Sequence, residues 1–473
     1  MSGPPSNARQ ADAQGAEGAT AVSETLADIV RRRHAWIRRQ FPALRRDLMG
    51  GRRTYLNNAG GTIVCESSVR AMAHVLRRAN PQDGTITDAE RATARVHEAA
   101  RRVVADFLNA PSPEEISFHQ SASHALFNLS FAFRDRLRPG DNLVVTRLDH
   151  AANVTPWESV WGEDRGLEIR ECGLTRDGML DLDHLARLVD RRTRIIAVTY
   201  ASNGLGSVVP IETIVRLARR HGTPRPGARA RGALVVVDAV HHACHAPLDV
   251  RALGCDFLVF SGYKVFGPMG GVLWGRRRWL DALRPYRVEA NADETPFKYE
   301  QGTPNHAVLA GITGALRYLE DLGTRIERDA ARRPELKPLS RALRRRYPDP
   351  VRRRLKWAMT AARAHERTLS LALIDGFARL ARRGVRLHGL TDPRRVDERD
   401  PTFLFEIAGL SQETIKRRLY ARGRIEVPTG NYYSLAVYRH LRRRQTVRAS
   451  FAHYDGVDTV RHFLRTLQSI APR

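Results

Sequence analysis

A chain of 473 residues is too long for one simple core, so a large domain with a smaller one attached is expected. No apolar run is long enough to span a bilayer, and 42% hydrophobic residues fit a globular enzyme. The formal net charge of +27 raises nucleic acid as a partner, but only five of the 78 basic residues are lysines, and no RNP-like, zinc-finger or helix-turn-helix signature accompanies the charge.

Residues 1–20 are small, polar and without periodicity, and read as a disordered tail. They lack the basic stretch followed by an apolar core of a secretory signal, so a cytoplasmic protein is expected. Residues 21–60 form an N-terminal helix and arm, with Leu26, Ile29, Val30, His34 and Ile37 at helical spacing. A short strand then runs into a glycine-rich turn where Asn57 and Asn58 can hydrogen-bond a ligand, and Asn58 is taken as the substrate contact. Cys65, Cys172, Cys244 and Cys255 show neither a CxxC nor a metal-ligand spacing, which suggests reduced thiols and no metal.

A helix over 91–108 is followed by a strand near 116 and a new helix beginning at Ser121, Ala122 and Ser123. Free N–H groups at such a start suit a phosphate, although serine caps helices generally. Three further apolar runs end in polar groups: one at Asp149 and His150, one at Ser202 and Asn203, one at Asp238 with His241 close behind. A fourth, residues 257–260, ends in Ser261 and then Lys264. Buried parallel strands that deliver polar residues at their carboxyl ends describe a ligand cleft in an α/β sheet. A carboxylate and a lysine there suggest pyridoxal phosphate, the lysine forming the Schiff base and the aspartate pairing with the pyridine nitrogen.

Gly302 and Thr303 can offer an N–H and a hydroxyl to a phosphate oxygen. Residues 321–356 are dense in arginine and read as a solvated basic insertion. Beyond them a long helix over 357–381 precedes strand-like runs at 385–389, 402–407 and 447–452, which alternate with helices over 412–421 and 457–467. The division expected is a large domain over 61–320 and a small one over 357–473.

Together these segments resemble the class V aminotransferase family of fold-type I pyridoxal-phosphate enzymes, most closely its cysteine-desulfurase-like branch. The resemblance runs from about residue 55 to about 467 and is most specific from Val237 to His241 and from Asp256 to Pro268. It implies an α/β fold with a mainly parallel, seven-stranded sheet in the large domain and a smaller α+β C-terminal domain. It implies that Lys264 is the Schiff-base lysine, Asp238 the partner of the pyridine nitrogen and His241 a donor to the ring hydroxyl. It further implies that His150 stacks on the ring, that Asn203 lies near the ring hydroxyl and the substrate carboxylate, and that Arg448 forks that carboxylate. The phosphate falls to Ser121, Ala122, Ser123 and Ser261, with Gly302 and Thr303 coming from the partner in a homodimer.

One departure restricts the reaction. The family's desulfurases carry a nucleophilic cysteine on a loop before the arginine, and no cysteine here lies after Cys255. The expectation is a lyase-like elimination across a C–S bond or a transamination on an amino acid substrate, rather than transfer through a loop persulfide. The alternatives are an epimerase, or a polyanion-binding protein that uses the arginine-rich stretches 31–53 and 325–354.

Overall fold

The computed structural model describes residues 6–45, 50, 51, 53–79, 81–221 and 232–472. A seven-stranded sheet forms its centre, built from β1 (Ile116–His119), β2 (Asn142–Thr146), β3 (Glu168–Cys172), β4 (Thr193–Thr199), β5 (Leu234–Asp238), β6 (Phe257–Ser261) and β7 (Gly271–Gly275). The spatial order is β1-β7-β6-β5-β4-β2-β3. Strand β7 runs antiparallel to both neighbours and all other pairs are parallel.

Every residue of β2, β5, β6 and β7 is buried. Alternate side chains point to opposite faces and enter different cores. Val235, Val237, Leu258 and Phe260 join one, while Val236, Phe257, Val259 and Leu273 join the other. A sheet covered on both faces requires apolar side chains at successive positions, which accounts for the unbroken apolar runs in the sequence.

A second sheet, antiparallel and four-stranded, lies in the C-terminal region in the order β10-β11-β9-β8, from β8 (Val385–His388), β9 (Thr402–Ile407), β10 (Thr429–Gly430) and β11 (Thr446–Ser450). Its own core includes Leu369, Phe377, Phe403, Phe405 and Phe463. The two-residue strands Thr54–Tyr55 and Ile425–Glu426 pair in parallel and tie the N-terminal arm to this unit.

The helices used below are α1 (Ser6–Arg39), α2 (Ala122–Ala132), α3 (His306–Ala330), α4 (Lys337–Arg346) and α5 (Pro350–Leu380). Two expectations change. Residues 6–20, read as a disordered tail, continue α1, where Ala11, Ala13, Ala16 and Ala19 favour helix; residues 1–5 lie outside the described residues. Residues 321–356, read as a solvated insertion, instead form the end of α3, all of α4 and the start of α5. Leu336, Leu343, Tyr347 and Leu355 are buried there. Helices α3 and α5 cross so closely that a Cβ at Gly323 would overlap the Arg354 carbonyl, which explains a glycine inside α3.

Part of the basic stretches is tied into the fold. Arg33 pairs with Asp329, Arg53 with Glu426, Arg346 with Asp249, Arg352 with Asp106 and Arg353 with Glu327. Each such pair removes a cation that a polyanion would need. Among the described residues no helix is long and apolar enough to cross a membrane.

Phe41, beyond the end of α1, packs with ring centroids within 6 Å of Phe266, Tyr318, His453 and Tyr454 and so ties the arm to three separate parts of the chain. Phe41→Ala is expected to cost about 3–5 kcal/mol in urea unfolding. A loss under about 1 kcal/mol would show that the arm docks without this contact.

Candidate active site

The carboxyl ends of the central strands converge on one cavity of about 360 Å³. Parallel register sets Thr199 on β4 opposite Asp238 on β5, and Asp238 opposite Val259 on β6, two residues before Ser261. Lys264 ends the short 3-10 turn that follows β6. Asn57, Ser121, Ala122, Ser123, His150, Asn203, Asp238, His241, Ser261, Tyr263, Lys264, Tyr432, Tyr433 and Arg448 all line the cavity. Ten of these were expected from the sequence at a common ligand site.

Burial controls the charges. It pulls Lys264 down to about 7, with Arg448 adding to the effect and Cys244 and Asp238 opposing it. It pushes Asp238 up to about 6 against the Val240 N–H and Lys264. An amine that loses its proton near neutrality is a nucleophile towards a carbonyl. Its Nζ donates to the Ala59 carbonyl. Asp238 accepts the Val240 N–H at 2.8 Å through Oδ1, and among the described residues its other oxygen takes no hydrogen bond. A buried carboxylate in this condition suits a cationic N–H from a ligand.

His150 follows β2 and accepts the Ala152 N–H on Nδ1 at 3.0 Å. Burial, then Lys264 and Arg448, pull it down to about 4, so it is a neutral ring. At the start of α2 the Ser121 hydroxyl caps the helix by accepting the His124 N–H at 3.1 Å. The β7 backbone approaches so closely that a Cβ at Gly271 would lie 2.7 Å from the Ala122 nitrogen. Only glycine permits that approach beside a helix start, where the free N–H groups attract an anion.

Arg448 on β11 is buried; it donates to the Asn203 carbonyl at 2.8 Å and to Asn57 Oδ1 at 3.2 Å, and its Nε is buried without a partner. Its guanidinium lies 3.9 Å from the Tyr432 ring centre. Tyr432 and Tyr433 both have left-handed backbone, with φ of 53° and 58°. For bulky residues this costs roughly 1–3 kcal/mol each, so the surroundings must hold the loop. The Tyr433 carbonyl accepts the Ala151 N–H at 2.7 Å, and the Tyr432 carbonyl accepts Asn203 Nδ2 at 2.9 Å. Ser434 Oγ donates to Asn203 Oδ1 at 2.5 Å. The Tyr433 ring thereby rests 5.3 Å from the His150 ring at the cavity mouth.

Three expected residues lie elsewhere. Asn58 does not line the cavity. Its Nδ2 donates to the Ser450 carbonyl at 2.7 Å and its Oδ1 accepts the Tyr454 hydroxyl, so it is a tie between the arm and the C-terminal unit. The neighbouring Asn57 takes the place expected of it. Gly302 and Thr303 line a separate cavity with His119 and His124, and within one chain they are not brought to Lys264. Tyr432 and Tyr433 enter the site through left-handed backbone, for which two tyrosines carry no sequence signal.

A neutral-leaning lysine, an unsatisfied buried carboxylate, an anion-binding helix start and an unpartnered guanidinium nitrogen together match the parts of pyridoxal phosphate and an amino acid. This is the site of a fold-type I α/β enzyme. A family model described as aminotransferase class-V matches residues 54–337. The chain is 36% identical over 303 residues to the cysteine desulfurases of Pectobacterium carotovorum subsp. carotovorum (strain PC1) and Klebsiella pneumoniae (strain 342), covering 61% of this chain and 72% of each relative. Among solved structures it is similar to the cysteine desulfurase CsdA of Escherichia coli, with a TM-score of 0.72, 25% identity, and 92% of this chain and 98% of that one covered. An apo cysteine desulfurase from Thermococcus onnurineus NA1 shares the fold at a TM-score of 0.72 and 24% identity, over 88% of this chain and 94% of that one. The chain belongs to the aminotransferase class-V family and is thereby a pyridoxal-phosphate-dependent enzyme.

Asn57 and Asn58 are expected to separate on substitution. Asn58→Ala leaves buried partners unmet and should lower stability by about 1–3 kcal/mol. Asn57→Ala removes one acceptor of the Arg448 guanidinium, and should weaken substrate binding with a smaller loss of stability than Asn58→Ala. Equal thermal shifts for both would contradict the placement.

Proposed function

We propose that the protein is a pyridoxal-phosphate lyase that breaks the Cβ–S bond of a cysteine-type amino acid and releases the sulfur as a small molecule. The observation that carries this reading is the lining of the cavity: Lys264, Asp238, His150 and Arg448 share it, and no cysteine does. All four cysteines are buried elsewhere. When bound, the cofactor supplies an electron sink that acidifies the α-C–H of an amino acid.

The chain's residues divide the remaining work. The Lys264 amine would hold the cofactor by its carbonyl and, when free, would take up the substrate's α-proton. Asp238 would pair with the pyridine nitrogen and favour its protonated form, and His150 would pack against the ring. His241 donates to the ring hydroxyl. The N–H groups of Ala122 and Ser123, with the hydroxyls of Ser121 and Ser261, hold the phosphate, and Gly302 with Thr303 reaches it from the second copy in a homodimer. Arg448 forks the substrate carboxylate, while Asn203 fixes the 431–434 loop beside it. The balanced reaction takes a cysteine-type amino acid and water to pyruvate, ammonia and a thiol.

A held tyrosine loop supports release over transfer. A sulfur-carrying loop must expose a nucleophile and reach an acceptor, whereas this one is tied to Ala151 and Asn203 and presents Tyr433.

The test is a screen of cysteine-type amino acids with product identification. Pyruvate, ammonia and sulfide or thiol in equal amounts are expected. Turnover that requires a keto acid acceptor would make the protein an aminotransferase, inversion at the α-carbon an epimerase, and sulfur retained on the chain a persulfide enzyme. Arg448→Lys keeps a charge but loses the fork, and is expected to raise KM about tenfold or more. An unchanged KM would remove Arg448 from the substrate.

A further inference from the structure

The cavity-lining loop places two tyrosines in left-handed backbone, and the fold makes use of only one side chain. The Tyr432 hydroxyl donates to the Pro428 and Thr446 carbonyls, both at 2.9 Å, and its ring covers the Arg448 guanidinium. Packing accounts for Tyr432. Tyr433 differs: it is 69% exposed, and among the described residues its hydroxyl takes no hydrogen bond. Its ring contact is with His150, at 5.3 Å between centroids and tilted by 36°. Its backbone is nevertheless tied on both sides. The N–H donates to Asn431 Oδ1 at 3.2 Å, and the carbonyl accepts the Ala151 N–H at 2.7 Å. A ring held on strained backbone and turned towards water adds little to stability, and strain kept at such a place points to function.

The cavity shows what the ring can meet. At about 360 Å³ it lies near the lower end of small-molecule sites, which run from roughly 300 to 1,000 Å³, and cofactor and substrate have to share it. With the substrate's amine at the cofactor, its carboxylate on Arg448 and its α-hydrogen facing Lys264, the side chain is the one α-substituent left to point outwards. The rings at the mouth are those of His150 and Tyr433. A bare thiol ends inside the cavity, whereas a group carried on sulfur extends to the open face of Tyr433. Burial holds His150 at about 4, so it is a neutral ring, and an aromatic pair of this kind favours an apolar group over an ionic one.

We propose that Tyr433 is a specificity-determining residue that selects S-substituted cysteines, thioethers with an aromatic or other apolar group on sulfur, over free cysteine. The inference rests on the elimination given under the proposed function. An S-substituted cysteine and water give pyruvate, ammonium and the thiol of the substituent. The Cβ–S bonding pair leaves on sulfur, which takes a proton, and no oxidant or reductant is consumed.

The test compares kcat/KM for S-benzyl-cysteine and for cysteine on the holoenzyme, with pyruvate as the common product. The thioether is expected to exceed cysteine by about tenfold or more. Tyr433→Asn removes the ring while suiting left-handed backbone, and is expected to lower that ratio by roughly threefold to tenfold, the worth of one aromatic contact. Tyr433→Gly answers the same question where the asparagine variant does not fold. Tyr433→Phe keeps the ring and is expected to keep the ratio. A merely structural role would lower turnover of both substrates alike, so a ratio unmoved by the loss of the ring overturns the inference. A wild-type preference for cysteine also overturns it and leaves the elimination standing. A holoenzyme that forms pyruvate from neither substrate overturns the proposed function and this inference with it.

Discussion

The exclusion of water from one lysine amine sets the terms for the rest of the structure. Lys264 lies at the carboxyl end of a sheet that is covered on both faces, and burial, with Arg448 adding to it, pulls the amine down to about 7. Such an amine is useful only where a carbonyl partner and a compensating charge are at hand. Asp238, on the adjacent strand, supplies that charge under the same burial. Neither residue can reach this state on an isolated strand, because the desolvation that shifts them comes from seven strands and the helices on both faces.

The C-terminal unit completes the cavity. Strand β11 delivers Arg448, and the loop before it delivers Tyr432 and Tyr433. The loop's left-handed tyrosines carry a conformational cost that its ties to Ala151 and Asn203 offset. A strained but fixed loop orders the cavity mouth at the expense of reach, which suits a reaction whose product leaves by diffusion.

Much of the architecture was legible because the relevant signals are local. Strands buried on both faces read as apolar runs, and the polar residues that follow them, from His150 to Lys264, mark a shared edge. Asn57 and Asn58 could not be told apart because adjacent residues on an extended segment point to opposite sides, and nothing local says which side meets the ligand. The basic stretch from 325 to 354 misled for a different reason. Its arginines pair with acids up to 305 positions away, as Arg333 does with Asp28, and local composition cannot show a distant partner. Tyr433 was legible only as the absence of a cysteine; its resting place on His150 depends on backbone that tyrosine rarely adopts.

Two buried lysines have been drawn to about neutrality by the fold, Lys264 beside Asp238 and Lys356 between the Phe107 and Leu248 carbonyls. Only the first lines the cavity with the carboxylate and the anion-binding helix start. Borohydride reduction of the holoenzyme followed by peptide mapping distinguishes them directly. The account predicts that the visible band bleaches and the cofactor is fixed to Lys264 alone; a label on Lys356, or no label on either, would contradict it.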